Sequence, residues 1–135
     1  MTTYIIIAVA SGILFGVLDA TINANPLARR LFVVYQPIAR TTLNPVAGIG
    51  IDLVYGFVMA GLFLLLYHSL PGESGLLKGV SFALISWFFR VVMSVASQWL
   101  MFRVPARTLV YSLVTGLVEM IIIGVLYGLT LKPPA

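Results

Sequence analysis

Four charged side chains lie within long apolar runs of this 135-residue chain, namely Asp19, Asp52, Arg90 and Glu119. A charge inside a membrane-spanning segment is costly, so each one needs a partner, a water-filled cavity or the headgroup region. A guanidinium and a carboxylate at mid-membrane depth could line a path for an ion, a proton or a small solute. The same pair could instead fix the register of two helices and carry no chemistry.

The spacing along the chain predicts that Arg90 and Glu119 meet. Each lies about eleven residues from the end of its apolar run nearest Arg103, or roughly 16 Å at ~1.5 Å per residue. Both side chains should therefore lie near the midplane of the membrane. Only a short loop joins the two runs, which favours antiparallel neighbouring helices. We expect an Arg90–Glu119 ion pair between them.

Small or hydroxylated residues flank both charges in steps of three or four, which places them on one helical face. The stripe comprises Ser86, Ser94 and Ser97 around Arg90, and Ser112 and Thr115 before Glu119. Positions that face lipid do not need hydroxyl groups, whereas hydroxyls between helices can form hydrogen bonds. The two halves of this stripe should therefore face each other or a shared interior.

Asp19 and Asp52 are carboxylates expected near the inner ends of their helices. At that depth they could reach the headgroup region, where a charge is cheap. Asp52 follows Pro45 by about two turns, close to the positive end of a helix. Either carboxylate could pair with arginines of the neighbouring loop, and the two together could bind a cation, although no ligand spacing makes such a site specific.

Four apolar segments must position these residues. Hydrophobic residues make up 61% of the chain and charged residues 9%, and a soluble domain of that composition would have no solvated face. The apolar runs are continuous and about 20 residues long, which indicates membrane-spanning helices and not a β-barrel. The predicted fold is an all-α bundle of four spans in one domain, residues 1–135, with spans over residues 4–22, 45–70, 76–102 and 105–131.

A short interfacial helix is predicted between the first two spans, over residues 26–40. Asn25-Pro26 and Asn44-Pro45 each place a capping side chain before a proline at the first helical position, where its missing N–H costs nothing. Apolar residues of the segment share one face and polar residues the other, with a break near Pro37.

The arginine distribution predicts the orientation. The first and third loops carry Arg29, Arg30, Arg40, Arg103 and Arg107. By the positive-inside rule these loops are cytoplasmic, and both termini lie outside the cytoplasm. The formal charge of +4 is then explained by basic residues that face anionic lipid, and we expect no nucleic-acid partner. Tyrosine and tryptophan should anchor the boundaries, with Tyr4, Tyr67 and Tyr127 on the outer side and Tyr35, Trp99 and Tyr111 on the inner side.

Glycines in steps of four suggest where helices approach closely. Gly12 and Gly16 form such a step in the first span, and Gly124 and Gly128 form one in the fourth. Small residues let helix backbones come together. These faces could pack within the bundle or against a second copy of the chain.

Catalytic groups are scarce. The chain has no cysteine and one histidine, His68, which is expected at the outer end of the second span. It contains no nucleophile elbow, zinc-binding HExxH or phosphate loop. We therefore expect no enzyme activity, no cofactor and no metal site.

Some segments resemble a broad group of small bacterial four-span membrane proteins that have no established activity. The first is the run from Gly12 to Asp19, followed by Asn23. The others are Gly116-Leu117-Val118-Glu119, the stretch from Gly124 to Gly128, and Trp87 in the third span. The resemblance implies a multi-pass protein of the bacterial inner membrane.

Two functions remain open from the sequence. The first is a structural or accessory membrane protein that acts as a homo-oligomer or with other membrane subunits, as the small-residue faces and short loops suggest. The alternative is a small ion or solute channel or transporter with a polar path around Arg90 and Glu119. Direct pairing of these two residues in a dry bundle would favour the first function, and a cavity beside them would favour the second.

Overall fold

The computed structural model describes residues 1–39 and 44–133, and the chain is helical in these ranges, with no β-strand. Helix α1 is Thr2–Ala24, α2 is Pro26–Leu31, and a 3-10 helix covers Phe32–Ile38. Helix α3 is Pro45–Leu66 and continues as a 3-10 turn over Tyr67–Ser69. Helix α4 (Gly75–Trp87), a π-helical turn (Phe88–Val92) and α5 (Met93–Met101) form one rod, and α6 is Ala106–Thr130.

Four of these segments are long and apolar enough to cross a membrane. The first span is α1, the second is α3 with its 3-10 turn, the third is the α4–α5 rod and the fourth is α6, with 23, 25, 27 and 25 residues. At ~1.5 Å per residue each exceeds the ~30 Å of a hydrocarbon core. The limits lie within two residues of the predicted ones. The predicted all-α bundle is confirmed, and the fold is that of a multi-pass membrane protein.

The loops divide the molecule into two ends. Because consecutive spans run in opposite directions, the first and third loops share one end, which we call the arginine side after Arg29, Arg30, Arg103 and Arg107. The two termini and the second loop share the other end, which we call the termini side.

Asparagine and proline begin the helices as predicted. Asn25 Oδ1 accepts a hydrogen bond from the Ala28 amide at 2.8 Å, and Asn44 Oδ1 accepts one from the Val46 amide at 3.0 Å. Each asparagine thereby satisfies an N–H that has no partner inside its helix. Both predicted caps are confirmed.

The interfacial segment differs in detail from its prediction. Its α-helix ends at Leu31, and the change to 3-10 geometry comes well before Pro37. An α-helical Pro37 would clash with the carbonyl group four residues earlier, at Val33, so the preceding turn takes up the tighter form. The last predicted residue of the segment, Arg40, lies outside the described residues.

Glycines hold the spans together as two antiparallel hairpins. In the first hairpin, α1 against α3, a Cβ atom on Gly12 would lie 2.9 Å from the Asp52 backbone oxygen. In the second, α4 against α6, Gly79 lies against Gly124 and Gly75 against Gly128, so closely that a Cβ atom on any of them would overlap the facing carbonyl oxygen. The predicted antiparallel packing of the third and fourth spans is confirmed. The two hairpins contact each other mainly through α1 and α6.

Aromatic side chains fill the termini-side half of the bundle. The rings of Phe63 and Phe82 lie 5.5 Å apart, and that of Tyr127 lies 5.8 Å from Phe63. Tyr127 is fully buried and its hydroxyl donates a hydrogen bond to Ser11 Oγ at 2.8 Å. Its predicted place as a boundary anchor is therefore wrong, because a glycine stripe on α6 turns the Tyr127 face of that helix towards the other spans.

Candidate functional site

Arg90 lies in the π-helical turn of the third span. The Phe88–Val92 turn contains one residue more than an α-helical turn would. The side chains that follow it therefore point about 100° away from the direction that a continuous α-helix would give them. Before the turn, Gly79 and Ala83 are buried, and after it the buried residue is Val95. Before the turn, the third span packs against α6 through glycines, and after the turn it lies beside polar side chains.

Three other spans supply the contacts of the Arg90 guanidinium group. Arg90 Nη1 lies 3.5 Å from Glu119 Oε1, and Arg90 Nη2 lies 4.0 Å from Asp19 Oδ1. Arg90 Nε donates a hydrogen bond to the Tyr55 hydroxyl at 3.1 Å. The predicted partners Arg90 and Glu119 are therefore brought together, and Asp19 and Tyr55 join them without having been predicted to do so.

Two aromatic rings complete the surroundings of the guanidinium carbon. It lies 5.0 Å from the centre of the Tyr55 ring and 5.5 Å from that of Phe15. The faces of aromatic rings attract cations, most strongly where water is excluded. The two carboxylates and the two ring faces therefore form a site that suits a planar guanidinium group, and the side chain of Arg90 occupies that site.

Glu119 is the most deeply buried charged side chain of the group, with 4% of its side chain exposed. Its Oε1 atom is the buried side-chain polar atom that lacks a hydrogen-bond partner in the described part of the chain. The 3.5 Å contact with Arg90 is within ion-pair distance but does not have hydrogen-bond geometry. A buried acceptor without a donor is costly, so this oxygen is available to a ligand or a water molecule.

A cleft of about 230 Å³ opens beside these charges on the arginine side of the bundle. We call it the arginine-side cleft. Its walls come from the first, third and fourth spans and from the 3-10 helix. Its lining comprises Asp19, Ile22, Asn23, Phe32, Arg90, Val91, Ser94, Val95, Gln98, Ser112, Thr115, Gly116 and Glu119. Beyond Glu119 towards the termini side, Met120 and Ile123 of α6 are fully buried.

Hydrogen bonds hold the interfacial segment against the arginine-side end of the bundle, where its Phe32 lines the cleft. Thr108 Oγ1 donates a hydrogen bond to the Leu31 carbonyl at 2.6 Å, and the Tyr35 hydroxyl donates one to Gln98 Oε1. The Tyr111 hydroxyl donates to the Ile22 carbonyl at 2.6 Å and accepts from Asn25 Nδ2 at 2.8 Å. Tyr35 and Tyr111 were predicted as membrane anchors, and their hydroxyls instead hold this segment against the bundle.

The predicted polar stripe is divided by the π turn. Ser112, Thr115 and Ser94 line the cleft, while Ser86 and Ser97 do not. The Thr115 hydroxyl donates to the Tyr111 carbonyl at 2.7 Å, and that of Ser97 donates to the Met93 carbonyl at 2.9 Å within its own helix. The prediction assumed a uniform α-helical period, and the extra residue places Gln98 where Ser97 was expected, while Ser94 still lines the cleft beside Val95.

The two predicted inner-end carboxylates have different surroundings. Asp19 lies five residues before the end of α1, about 8 Å inside at ~1.5 Å per residue, and reaches Arg90. Asp52 faces Gly16, on which a Cβ atom would lie 3.0 Å from Asp52 Oδ2. Among the described residues neither carboxylate forms an ion pair with a first-loop arginine, since both ion pairs found there involve Arg90.

Aromatic and amide residues are what sequence reasoning missed at this site. Phe15, Tyr55 and Gln98 carry no charge, and nothing in the sequence distinguishes Phe15 from a lipid-facing residue. One signal was available, because Tyr55 lies inside a span, too deep for a boundary anchor. Over residues 1–39 and 44–133, no three histidine, aspartate or glutamate side chains are grouped so as to hold a metal ion.

Comparison with known proteins gave no match: no family model, no curated protein and no solved structure is similar to this chain. The site must therefore be interpreted from its own chemistry.

Proposed function

We propose that this protein binds a small cation of the ammonium or guanidinium class in the arginine-side cleft and carries it across the membrane. The observation that supports this proposal is the cleft itself, where Asp19, Arg90 and Glu119 come together from three spans. Among the described residues, no hydrogen-bond donor reaches the buried Glu119 Oε1 atom. Intramembrane charges of this kind commonly mark the paths of ions and substrates.

The charges in and beside the cleft favour a cation. Asp19 and Glu119 line it and Asp52 lies nearby across Gly16, whereas Arg90 is the one basic residue in the lining. Carboxylates therefore outnumber the arginine that pairs with them. A ligand with N–H donors could supply the missing hydrogen bond to Glu119.

The division into two hairpins supports movement as well as binding. The cleft lies between the hairpins, and their glycine seams are internal to each hairpin. Rocking of one hairpin against the other would close the arginine side and part the aromatic cluster of Phe63, Phe82 and Tyr127 without breaking either seam. Rigid-body rocking around a central site is how many transporters alternate access.

A second function, that of an accessory subunit or homo-oligomer, is supported by a different surface. Among the described residues, no atom lies within 4 Å of a Cβ atom added to Gly48 or Gly50 in the second span, so these glycines do not serve packing against that part of the chain. Small residues on an outer face let another helix approach closely. Such an assembly is compatible with transport, since each copy would retain its own cleft.

Our proposal also includes an orientation in the bacterial inner membrane. It puts the arginine side in the cytoplasm and both termini outside, because cytoplasmic loops of membrane proteins are enriched in arginine and lysine. The cleft would then open towards the cytoplasm.

The first test is water access to the cleft. The chain has no cysteine, so a single introduced thiol can be labelled without background. We expect Ser112→Cys and Thr115→Cys to react with a trimethylammonium methanethiosulfonate, and to react more slowly with its sulfonate counterpart, because the cleft is acidic. Ala60→Cys, at a fully buried position in the termini-side core, should react only after unfolding. Equal protection at all three positions would indicate a dry bundle and contradict the proposal.

The second test is transport in proteoliposomes. We expect uptake of radiolabelled guanidinium or methylammonium by the unmodified protein and its loss in Glu119→Gln, which removes the charge while keeping the size of the side chain. Ser97→Ala is the matched control, because Ser97 lies outside the cleft and bonds only to its own helix. Uptake that is the same in empty liposomes, or is unaffected by Glu119→Gln, would overturn the proposed function.

A further inference from the structure

A second groove lies on the arginine side, on the outer surface between α2 and α6, and it shares no lining residue with the cleft. It measures about 660 Å³ and is lined by Leu27, Arg30, Leu31, Arg107, Val110, Tyr111 and Val114. Two arginines lie at its arginine-side end, and apolar side chains of α6 continue from there towards the middle of the membrane. The groove thus has a basic end at headgroup level and an apolar end in the hydrocarbon.

The chain itself does not neutralise the basic end. Its acidic residues are Asp19, Asp52, Glu73 and Glu119, and none lies in α2 or at the start of α6. Over the described residues, both ion pairs involve Arg90, so no carboxylate lies within 4.0 Å of Arg30 or Arg107. Two unpaired guanidinium groups at one site favour an anion, and phosphate is an anion that arginine binds with good geometry.

The start of α6 adds to this positive field. The helix has no acidic residue in its first turn and no side-chain cap, whereas asparagine or serine caps α2, α3 and α4. Its first amide groups therefore lack a side-chain acceptor at the positive end of a 25-residue helix. Arg107 is the second residue of that helix, so its side chain and these amides lie at the same end.

The remaining lining matches a hydrocarbon chain. Leu27, Val110 and Val114 are each 55% exposed, and all three line the groove. Val110 and Val114 are one helical turn apart, so their side chains form a ridge along α6 in the direction of the membrane interior.

We infer that this groove binds one anionic phospholipid, with the phosphate on Arg30 and Arg107 and an acyl chain along Leu27, Val110 and Val114. Basic pockets between helices at the cytoplasmic face are known to hold lipid phosphates in this way. The inference is independent of the proposed transport function, because the groove and the cleft share no lining residue. The bound lipid would fasten α2 to the fourth span.

The test is native mass spectrometry of the full chain in detergent, titrated with phosphatidylglycerol and with phosphatidylcholine of the same acyl chains. We expect one phosphatidylglycerol molecule to bind preferentially. Replacing both arginines, in Arg30→Gln/Arg107→Gln, should weaken that binding by at least about tenfold for each arginine. The matched control is Arg29→Gln/Arg103→Gln, which removes the same charge from the same side but outside the groove and should bind normally.

A second variant separates the lipid from other occupants. Val114→Trp fills the apolar part of the groove and leaves both arginines in place, so phosphatidylglycerol binding should be lost. Equal affinity for the two lipids, or equal loss in the two double variants, would overturn the inference in favour of diffuse surface attraction. Binding of inorganic phosphate that Val114→Trp leaves unchanged would identify a free-phosphate site and overturn it too. A lipid-free dimer that Val114→Trp disrupts would assign the groove to a second copy of the chain, with the same consequence.

Discussion

Replacement of Arg90 with alanine should lower the free energy of unfolding by about 1–3 kcal/mol, because it leaves a buried carboxylate without its partner. Glu119 has 4% of its side chain exposed, so without Arg90 it would remain a buried carboxylate with no counter-charge. Asp19 and the Tyr55 hydroxyl would each lose a contact as well. The measurement is a denaturant titration in mixed micelles, followed by far-ultraviolet circular dichroism.

A double-mutant cycle identifies the source of that loss. Glu119→Gln alone should cost less than Arg90→Ala, because an amide is cheaper to bury than an unpaired charge. The double variant should be more stable than Arg90→Ala alone, since the carboxylate is no longer present. Arg90→Ala with unchanged stability, or strictly additive losses, would show that the pair does not carry the interaction that its geometry suggests.

Free guanidinium provides a further control for Arg90→Ala. The truncated side chain leaves a space bounded by Asp19, Glu119 and the rings of Phe15 and Tyr55. Guanidinium at low, non-denaturing concentration should occupy that space and restore stability, by about 1.4 kcal/mol at ten times its dissociation constant. Sodium at equal ionic strength should not. The unmodified protein should gain less, because its own guanidinium already fills that space and a ligand can bind only in the cleft beside it.

The second large effect is expected at the glycine seam of the α4–α6 hairpin. A Cβ atom on Gly79 would overlap the Gly124 carbonyl oxygen, which is backbone and cannot move aside. Gly79→Ala must therefore separate the two helices, and we expect a loss of about 1–3 kcal/mol or more. Thermal unfolding in detergent, measured by the appearance of aggregated protein, gives the comparison.

Gly50→Ala is the matched control for that substitution. Gly50 also lies within a span, but an added Cβ atom there meets no other atom of the described residues. In the monomer the change should be neutral or stabilise the helix by up to about 1 kcal/mol, because alanine has the higher helix propensity. Equal effects at Gly79 and Gly50 would mean that helix propensity, and not the close approach of two backbones, determines the stability at these glycines.

The four spans and the Arg90–Glu119 contact of the site could be predicted from the sequence. Hydropathy fixes the length of each helix, and Asn25-Pro26 and Asn44-Pro45 fix where two of them begin. Arg90 and Glu119 lie at matching depths on helices joined by a short loop, so their contact followed from the rise per residue alone.

The rest of the site depended on information that the sequence does not expose. Asp19 joins Arg90 because a long arginine side chain spans the difference in depth between them, which counting residues from helix ends could not show. The contact of Tyr55 depends on how the two hairpins meet. Ser97 was expected in the polar interior and lies outside the cleft, because the π-helical turn shifts the helical period. No residue type in the sequence predicts such a turn.

The π-helical turn of Phe88–Val92 also divides the third span into two halves that have different neighbours. The termini-side half is tied to its neighbour through Gly75 and Gly79, while Val95 and Gln98 belong to the wall of the cleft. Loss of one residue from the turn would restore the α-helical form and leave each half presenting the same side chains as before. Changes in chain length can be absorbed there, so the wall of the cleft can change while the packed half keeps its sequence.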